Sequence, residues 1–461
     1  MSIAPAILTS STCKAVNDAS LQEIDPIKAP FEMPQLQRPV FPNKTFDVRK
    51  FGAKGDGETK NTEAFRQAIA ACTAGGGGKV LVPAGKWLTG AIHLKSNVNL
   101  HMDKGAELHF SDQPNDYLPV VFTRWAGFEV MNYSPLIYAI DCENIAVTGP
   151  GMLYGHGQAW WSWTQVGQGT GKQIQDMVLK GMPPEKRVFG KPEYGLRPQF
   201  INPVRCRNVL LEGFTIAQPG PFWTIQFLYC ENVIARGLTL NVNIGGPNND
   251  GIDLDSSRNA LIEHCVMDTG DDGVCLKSGI NEDGWRVGRP TENIVVRHIR
   301  SQNGIWGGVS IGSEMSGGIR NVLVHDCTFI GTNLSIHIKS NSTRGGFVEH
   351  IWFRNITMKD IHEQAILFQM DYPAWITGKE AYPIVRDIEI SDITCDGALV
   401  AADVTGLSEQ PIERLLLKNV FIKAEKGMTF NWVNDLTLRN VKSEPIKGEP
   451  ILLMNCKNVD Q

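Results

Sequence analysis

A short phrase recurs along this chain and leaves few folds open to it. It consists of an Asn or another polar residue, three to five alternating apolar positions, then a small or polar turn. It reads CENIAVTG from Cys142, CRNVLLEG from Cys206, CENVIARG from Cys230 and SRNALIEH from Ser257. It continues as TENIVVRH from Thr291, IRNVLVHD from Ile319, VEHIWFRN from Val348 and VRDIEISD from Val385, and closes with IERLLLKN, VNDLTLRN and CKNV. Apart from one double-length gap, the copies start 21 to 37 residues apart, the spacing of a solenoid. Period-2 strands of β-branched residues, with no long amphipathic helices between them, point to an all-β chain coiled as a right-handed parallel β-helix. A propeller fits less well, because its blades run longer and more evenly. Cys142, Cys206, Cys230 and Cys456 share one phase of the repeat, as an inward stack of small apolar side chains would.

The ends fit a capped solenoid. Residues 1–45 are polar and proline-spotted and read as an arm over the surface, leaving 46–461 as a single β-helix domain. Asn61 or Thr62 can cap a short N-terminal helix that buries Ala64, Phe65, Ala68, Ile69 and Cys72, ended by Gly75 to Gly78. Such a helix would close the first turn of the coil. The net charge of −5 argues against a nucleic-acid partner. No apolar run is long enough to span a bilayer, and MSIAPAILTSSTCKA lacks the basic start of a signal peptide. The ten cysteines show no paired zinc spacing, so they read as buried thiols or as one or two disulfides. Nothing in the sequence fixes an oligomeric state.

Two acidic phrases carry the chemistry. GGPNNDGIDLDSS holds Asn248 and Asp250, and MDTGDDGVCLKSG holds Asp271 and Asp272. Adjacent strand residues point to opposite faces, so a paired Asp271 and Asp272 needs a local bend, for which Gly270 and Gly273 are the candidates. Asp250 and Asp271 lie 21 residues apart, one short turn of the coil, so the acids should share a face on consecutive rungs. Crowded carboxylates raise one another's pKa, and a fold keeps such a cluster mainly where the shifted proton is used. One protonated acid beside ionised ones is the equipment of glycoside hydrolysis. The bland alternative is a calcium loop or a solvated polar turn.

With NND at 248–250, GDDGVCLKSG at 270–279, GGVSIGSEMSGG at 307–318 and HIKSNSTRGG at 337–346, the chain resembles the polygalacturonase family of glycoside hydrolases, family 28. The opening phrase FGAKGDG…NTEAF…GGGGKVLVPAGKW is similar to the same family, although other β-helix enzymes share it. The resemblance implies that Asp271 is the general acid and that Asp250 and Asp272 hold and deprotonate the water, with Asn248 fixing the site. It implies inversion at the anomeric carbon, no metal or other cofactor, a pectic poly- or oligosaccharide substrate, and secretion or a periplasmic location. The phrases TRWAG and SPLIYAIDCENI resemble bacterial members, many of which act on chain ends. A wall closing the groove would then come from the stretch between Gly155 and Arg205.

Two departures from the family pattern bear on the substrate. The family's GHG is here IWGG, with Trp306 read in the histidine's place, and its R-I-K is His337, Ile338 and Lys339. The GHG at 155–157 lies upstream of both acidic phrases, so His156 reads as structural. A histidine cannot replace an arginine fork on a carboxylate, and a tryptophan offers a stacking plane instead. The sugar on the leaving side need not be galacturonate, so polygalacturonan and rhamnogalacturonan both stand as substrates. Lys339 is the first candidate anchor for a uronate, followed by Lys277 and Arg344, with Tyr372 as the cleft aromatic. Trp160 to Trp163, Arg124 and Trp125 are candidates for the rim. The rival readings are a calcium-dependent pectate lyase and a β-helix that only binds polysaccharide.

Overall fold

The computed structural model describes residues 23–242, 246–304, 306–373 and 375–461. Residues 1–22, with Cys13 and the stretch read for a signal peptide, lie outside them. Strands from Thr45–Asp47 to Lys457–Asp460 join one sheet in which each pairs in parallel with the strand one coil further on. Parallel crossovers of this kind run right-handed. The fold is therefore the parallel β-helix that the repeat predicts.

The Asn of the repeat sets the corner of each rung. Asn97, Asn144, Asn208, Asn232, Asn259, Asn293 and Asn321 all take φ between 52° and 62°. That left-handed region is costly for most L-residues and tolerated best by Asn and Asp. Their amides also bond in a column: Asn144 Nδ2 donates to Asn97 Oδ1 at 3.1 Å, Asn208 to Asn144 at 2.9 Å and Asn232 to Asn208 at 3.1 Å. The column continues through Asn259, Asn293 and Asn321. Beside it, Glu143, Arg207, Glu231, Arg258, Glu292, Arg320, Glu349, Arg386 and Glu413 stand one above the next in alternating sign. Each exposed pair contributes little alone, but a slip by one rung would set like charges opposite one another.

Inside the coil the columns are aliphatic, as in Ile145, Val209, Val233, Ala260, Ile294 and Val322. Cys142, Cys206 and Cys230 are buried in successive rungs, whereas Cys456 is only partly covered. All nine described cysteines are free, so the thiol alternative holds for them. One outward column is apolar too, running from Ala146 through Leu210, Ile234, Leu261, Val295 and Leu323 to Trp352. The segment 24–41 lies over it through Ile24, Ile27, Phe31, Met33, Leu36 and Phe41. Arg297 and Arg236 tie that strap down by donating to the carbonyls of Asp25, Pro26 and Glu23.

Helix α1 (Thr62–Ala74) buries Ala64, Phe65, Ala68, Ile69 and Cys72 and ends at Gly75. Asn61 makes no capping bond to it; its side chain instead bonds Lys54, Thr59 and Leu88. A second core stands outside the coil. The hairpin Val121–Trp125/Phe128–Asn132 and helix α2 (Thr164–Leu179) share it with Phe222, Trp223, Ile280 and Ile376. Helix α3 (Asn281–Val287) pins the hairpin through Asp283, which pairs with Arg187 at 2.9 Å and accepts from Glu129 N–H at 2.8 Å.

Asn232→Ala is expected to lower stability by about 2 kcal/mol, combining a left-handed φ on an ordinary residue with lost ladder bonds. Asn232→Gly should lose about half as much, because glycine takes that φ freely. Urea unfolding followed by circular dichroism checks the order.

Candidate active site

The pairing of Ile252 with Val274 places Asp250 directly beneath Asp272, and the Gly251 N–H donates to the Asp272 carbonyl at 2.8 Å. Asp271 sits in a bend just before the strand Asp272–Lys277, so the two neighbours escape the alternation of a strand. One carboxylate oxygen from each of Asp250, Asp271 and Asp272 falls within 4.8 Å of the others. The three acids converge.

Gly270 stands in the same bend as Asp271, and the glycines also serve the packing of the rungs. Neither Gly270 nor Gly273 takes a left-handed φ. A Cβ on Gly273 would meet the carbonyl oxygens of Gly307 and Gly308 at 2.5 and 2.7 Å, and one on Gly251 would meet that of Gly273 at 2.4 Å. Gly251, Gly273 and Gly308 thus let successive rungs close up beneath the carboxylates. Gly307, rather than Trp306, is in register with Asp272 on the next rung.

The three acids have different electrical surroundings. Asp272 accepts from Ser310 Oγ at 2.6 Å and from Lys339 Nζ at 2.8 Å. Burial opposes its charge, but Lys339 and Lys277 outweigh burial and hold the carboxyl well below the usual range. Asp250 is pushed up to about 6 by burial, against the pull of Lys277 3.5 Å away and with a further push from Asp272. Asp271 forms no ion pair among the described residues; burial, then Asp250 and Asp272, raise it well above the usual range against the weaker pull of Lys339 and Lys277. This leaves one protonated acid, one ionised carboxylate and one poised near neutrality.

The groove has two lobes. The first, of about 250 Å³, is lined by Asn248, Asp250, Asp271, Asp272, Lys277 and Lys339 and walled by Trp125, Ala126, Thr164, Gln168 and Trp375. The second, of about 510 Å³, runs over later rungs past Trp306, His337, Glu363, Asp371 and Asp403. Asp271, Lys339 and Tyr372 border both. The stretch 155–205 does contribute to the wall, through α2 and Arg197, alongside Trp125 and Ala126 of the hairpin and Trp375.

Of the expected contacts, Asn248, Lys339, Tyr372 and Trp306 reach the groove, and Trp306 is 41 % exposed. Lys277 lines the first lobe but is engaged by Asp250, Asp253 and Glu314, the last at 3.1 Å. His337 is buried and pushed down to about 3 by burial and then Lys339, which leaves it neutral. Arg344 corrects the expectation. It is fully buried, bonds Ser313 O, Asn281 Oδ1 and Ile376 O, and lines neither lobe. Arg124 is likewise no rim residue, because it is buried against Asp255 at 2.5 Å and Tyr229. Trp160 packs on Tyr117, Tyr133 and Trp163, and His156 pairs with His109 away from both lobes.

Sequence reasoning missed Glu314, Ser310 and Asp253, although each stands inside a quoted phrase. Glu314 is held down at about 2 because Lys277 and Arg344 outweigh its burial. Arg197, Phe222, Trp223 and Trp375 were missed as well. They reach the first lobe from outside the acidic phrases, with no spacing to mark them.

A protonated acid facing two carboxylates that hold charge, at the floor of a long groove, is the arrangement of a glycoside hydrolase. Residues 190–435 match the family described as Glycosyl hydrolases family 28, and residues 45–106 match Rhamnogalacturonase A/epimerase, pectate lyase-like. The chain is 30% identical to a probable polygalacturonase of Vitis vinifera, over 83% of this chain and 75% of that one. It is 27% identical to an exo-poly-alpha-D-galacturonosidase of Dickeya chrysanthemi, over 87% and 72%. The structure of a hyperthermoactive exopolygalacturonase from Thermotoga maritima superposes with a TM-score of 0.83 at 37% identity, covering 91% of this chain and 93% of that one. A family 28 exopolygalacturonase from Yersinia enterocolitica gives 0.78 at 26% identity, covering 90% and 78%. The chain belongs to glycosyl hydrolase family 28 and is a glycoside hydrolase of the polygalacturonase kind. No helix among the described residues is long and apolar enough to cross a membrane.

Gly273→Ala should force the rungs apart under the acids. The expected result is a stability loss of about 1–3 kcal/mol and a fall in kcat on the order of 10²-fold from misplaced carboxylates. Urea unfolding and steady-state hydrolysis measure the two effects separately.

Proposed function

We propose that the protein removes single galacturonate units from the non-reducing ends of pectic chains by acid–base hydrolysis. The observation that carries this is the division of the acids between the lobes: Asp250 and Asp272 line only the first, whereas Asp271 borders both. The sugar attacked by water must lie beside Asp250 and Asp272, and the leaving sugar lies across Asp271. The terminal unit therefore occupies the first lobe. Asp271 donates its proton to the glycosidic oxygen as the C1–O bond breaks. Water held by Asp250 and Asp272 adds to C1, and Asp250 takes its proton. Asn248 borders that unit and fixes it.

The wall supports chain-end action, because α2, the hairpin and Trp375 bound the lobe where an internal segment would have to continue. The relatives named as exo-acting support the same reading. Inversion rests on the third carboxylate, which gives the water two acceptors; the acids' close approach alone would suit a retaining pair. Lys277 and Lys339 stand at the anionic oxygens that a calcium-dependent lyase would offer to its metal. A pectic substrate belongs to plant walls, which accords with secretion or a periplasmic location.

The second lobe favours a further reading of the leaving side. Glu363, Asp371 and Asp403 line it, His337 is neutral, and its one ammonium, Lys339, is paired with Asp272. Such a lobe suits an uncharged neighbour, such as the rhamnose of rhamnogalacturonan, better than a second uronate.

The reaction needs Asp250 ionised and Asp271 protonated, so kcat/KM should fall as pH drops through about 6, and fall again as rising pH deprotonates Asp271. Asp271→Asn should lower kcat on the order of 10²–10⁴-fold, and should erase the alkaline limb with an unchanged melting curve. Digalacturonate, trigalacturonate and galacturonosyl-rhamnose oligomers, followed by mass analysis, test the rest. Free galacturonate should be the first product, and a ladder of internal fragments would overturn chain-end action. Faster turnover of the rhamnose-linked substrate supports the neutral leaving side, and equal or slower turnover removes it.

A further inference from the structure

We propose that Arg197 is the residue that reads the carboxylate of the terminal sugar and so makes the enzyme specific for a uronate. The inference rests on the reading that the terminal unit occupies the first lobe. Arg197 lines that lobe and is 2 % exposed. Its Nη1 donates to the carbonyls of Pro221 at 2.9 Å and Pro247 at 2.8 Å, and its Nη2 donates to Asn248 Oδ1 at 2.8 Å. A guanidinium has five N–H donors, so two are left over, and Nε is among them. All three acceptors are neutral.

The other fully buried arginines frame the contrast. Arg124 pairs with Asp255, Arg187 with Asp283, Arg236 and Arg297 with Glu263. Among the described residues Arg344 has no ion pair either, but it lies outside both lobes. Among the described residues, Arg197 is thus the one cation of the first lobe without a carboxylate partner, since Lys277 and Lys339 each hold acids. Burial pushes it down to about 10, against the pull of the Asp250 charge, with which it forms no ion pair. A buried, desolvated charge without a bonded counterion is expensive unless something supplies one. A hexuronate does, through its C6 carboxylate. Phe222, whose ring lies 5.0 Å from the guanidinium carbon, keeps the Arg197 plane fixed. A lobe of about 250 Å³ is below the size of drug-like sites and suits a single sugar ring.

Arg197 also holds Asn248, so loss of activity alone would not separate reading from support. The test compares sugars that differ only in that carboxylate. Galacturonate and galactose are titrated against the wild type and against Arg197→Gln and Arg197→Lys by calorimetry. Digalacturonate and its terminally methyl-esterified form are compared in hydrolysis. Wild type should prefer the free carboxylate in both assays. Arg197→Gln should weaken galacturonate about 10- to 200-fold, as loss of a charged hydrogen bond does, weaken galactose far less, and raise KM more than it lowers kcat. Arg197→Lys should keep part of the preference. Parallel weakening of both sugars would overturn the proposal in favour of a structural role. If the variants do not fold, a crystal structure of Asp271→Asn with galacturonate decides: the C6 carboxylate should lie within 3.5 Å of Arg197 Nη2, and one turned toward Lys277 or Lys339 overturns it. Failure of wild type to bind or cleave any galacturonide would instead remove the proposed function itself.

Discussion

The constraint on which the site depends is the register that stacks Asp250 under Asp272. It forces two carboxylates onto neighbouring rungs and a third, Asp271, beside them. That arrangement is unfavourable in isolation, because buried like charges repel. It is offset from the rungs above, where Ser310 and Lys339 take Asp272, and from the same strand, where Lys277 takes Asp250. Each lysine is desolvated and stays charged only because the acids surround it. Acids and ammoniums therefore hold one another in their working protonation states. What escapes compensation is Asp271, and that leftover imbalance is its proton.

The coil supplies this chemistry but not the selectivity. A bare β-helix presents an open groove, and any sugar chain could slide along it. The second core built from the hairpin, α2 and the Phe222–Trp223 turn stops the groove at one end. Among the described residues, the walled lobe has a guanidinium bonded only to neutral acceptors, and the open one is lined by Glu363, Asp371 and Asp403. On the proposed reading, polymer direction, unit size and the charge of each neighbour are set by these additions, while bond breaking is set by the rungs.

The repeat made the coil legible because each rung repeats the same demand: a polar corner at left-handed φ, then alternating strand positions. The converging acids were legible for the same reason, since one turn of spacing fixes vertical alignment. Spacing does not show that Gly307, the residue after Trp306, is the one that pairs with Asp272. The bend at Gly270 was legible, but the clearance that Gly273 gives was not, since clearance to a neighbouring rung is a property of the stack and not of the phrase. Arg344 reads as a candidate uronate anchor in HIKSNSTRGG, and only the fold shows it buried. Arg197 had no pattern at all. It enters from the inserted wall, whose aperiodic sequence gives no register to count.

The strap over the outward apolar column has a consequence for biogenesis. Segment 24–41 leaves the ribosome before the surface it covers, which is spread over strands from Ala146 to Trp352. The earliest part of the described chain is thus the last to find its place, and until then both it and the column expose apolar side chains to water. A coil that grows rung by rung is fastened by its own beginning.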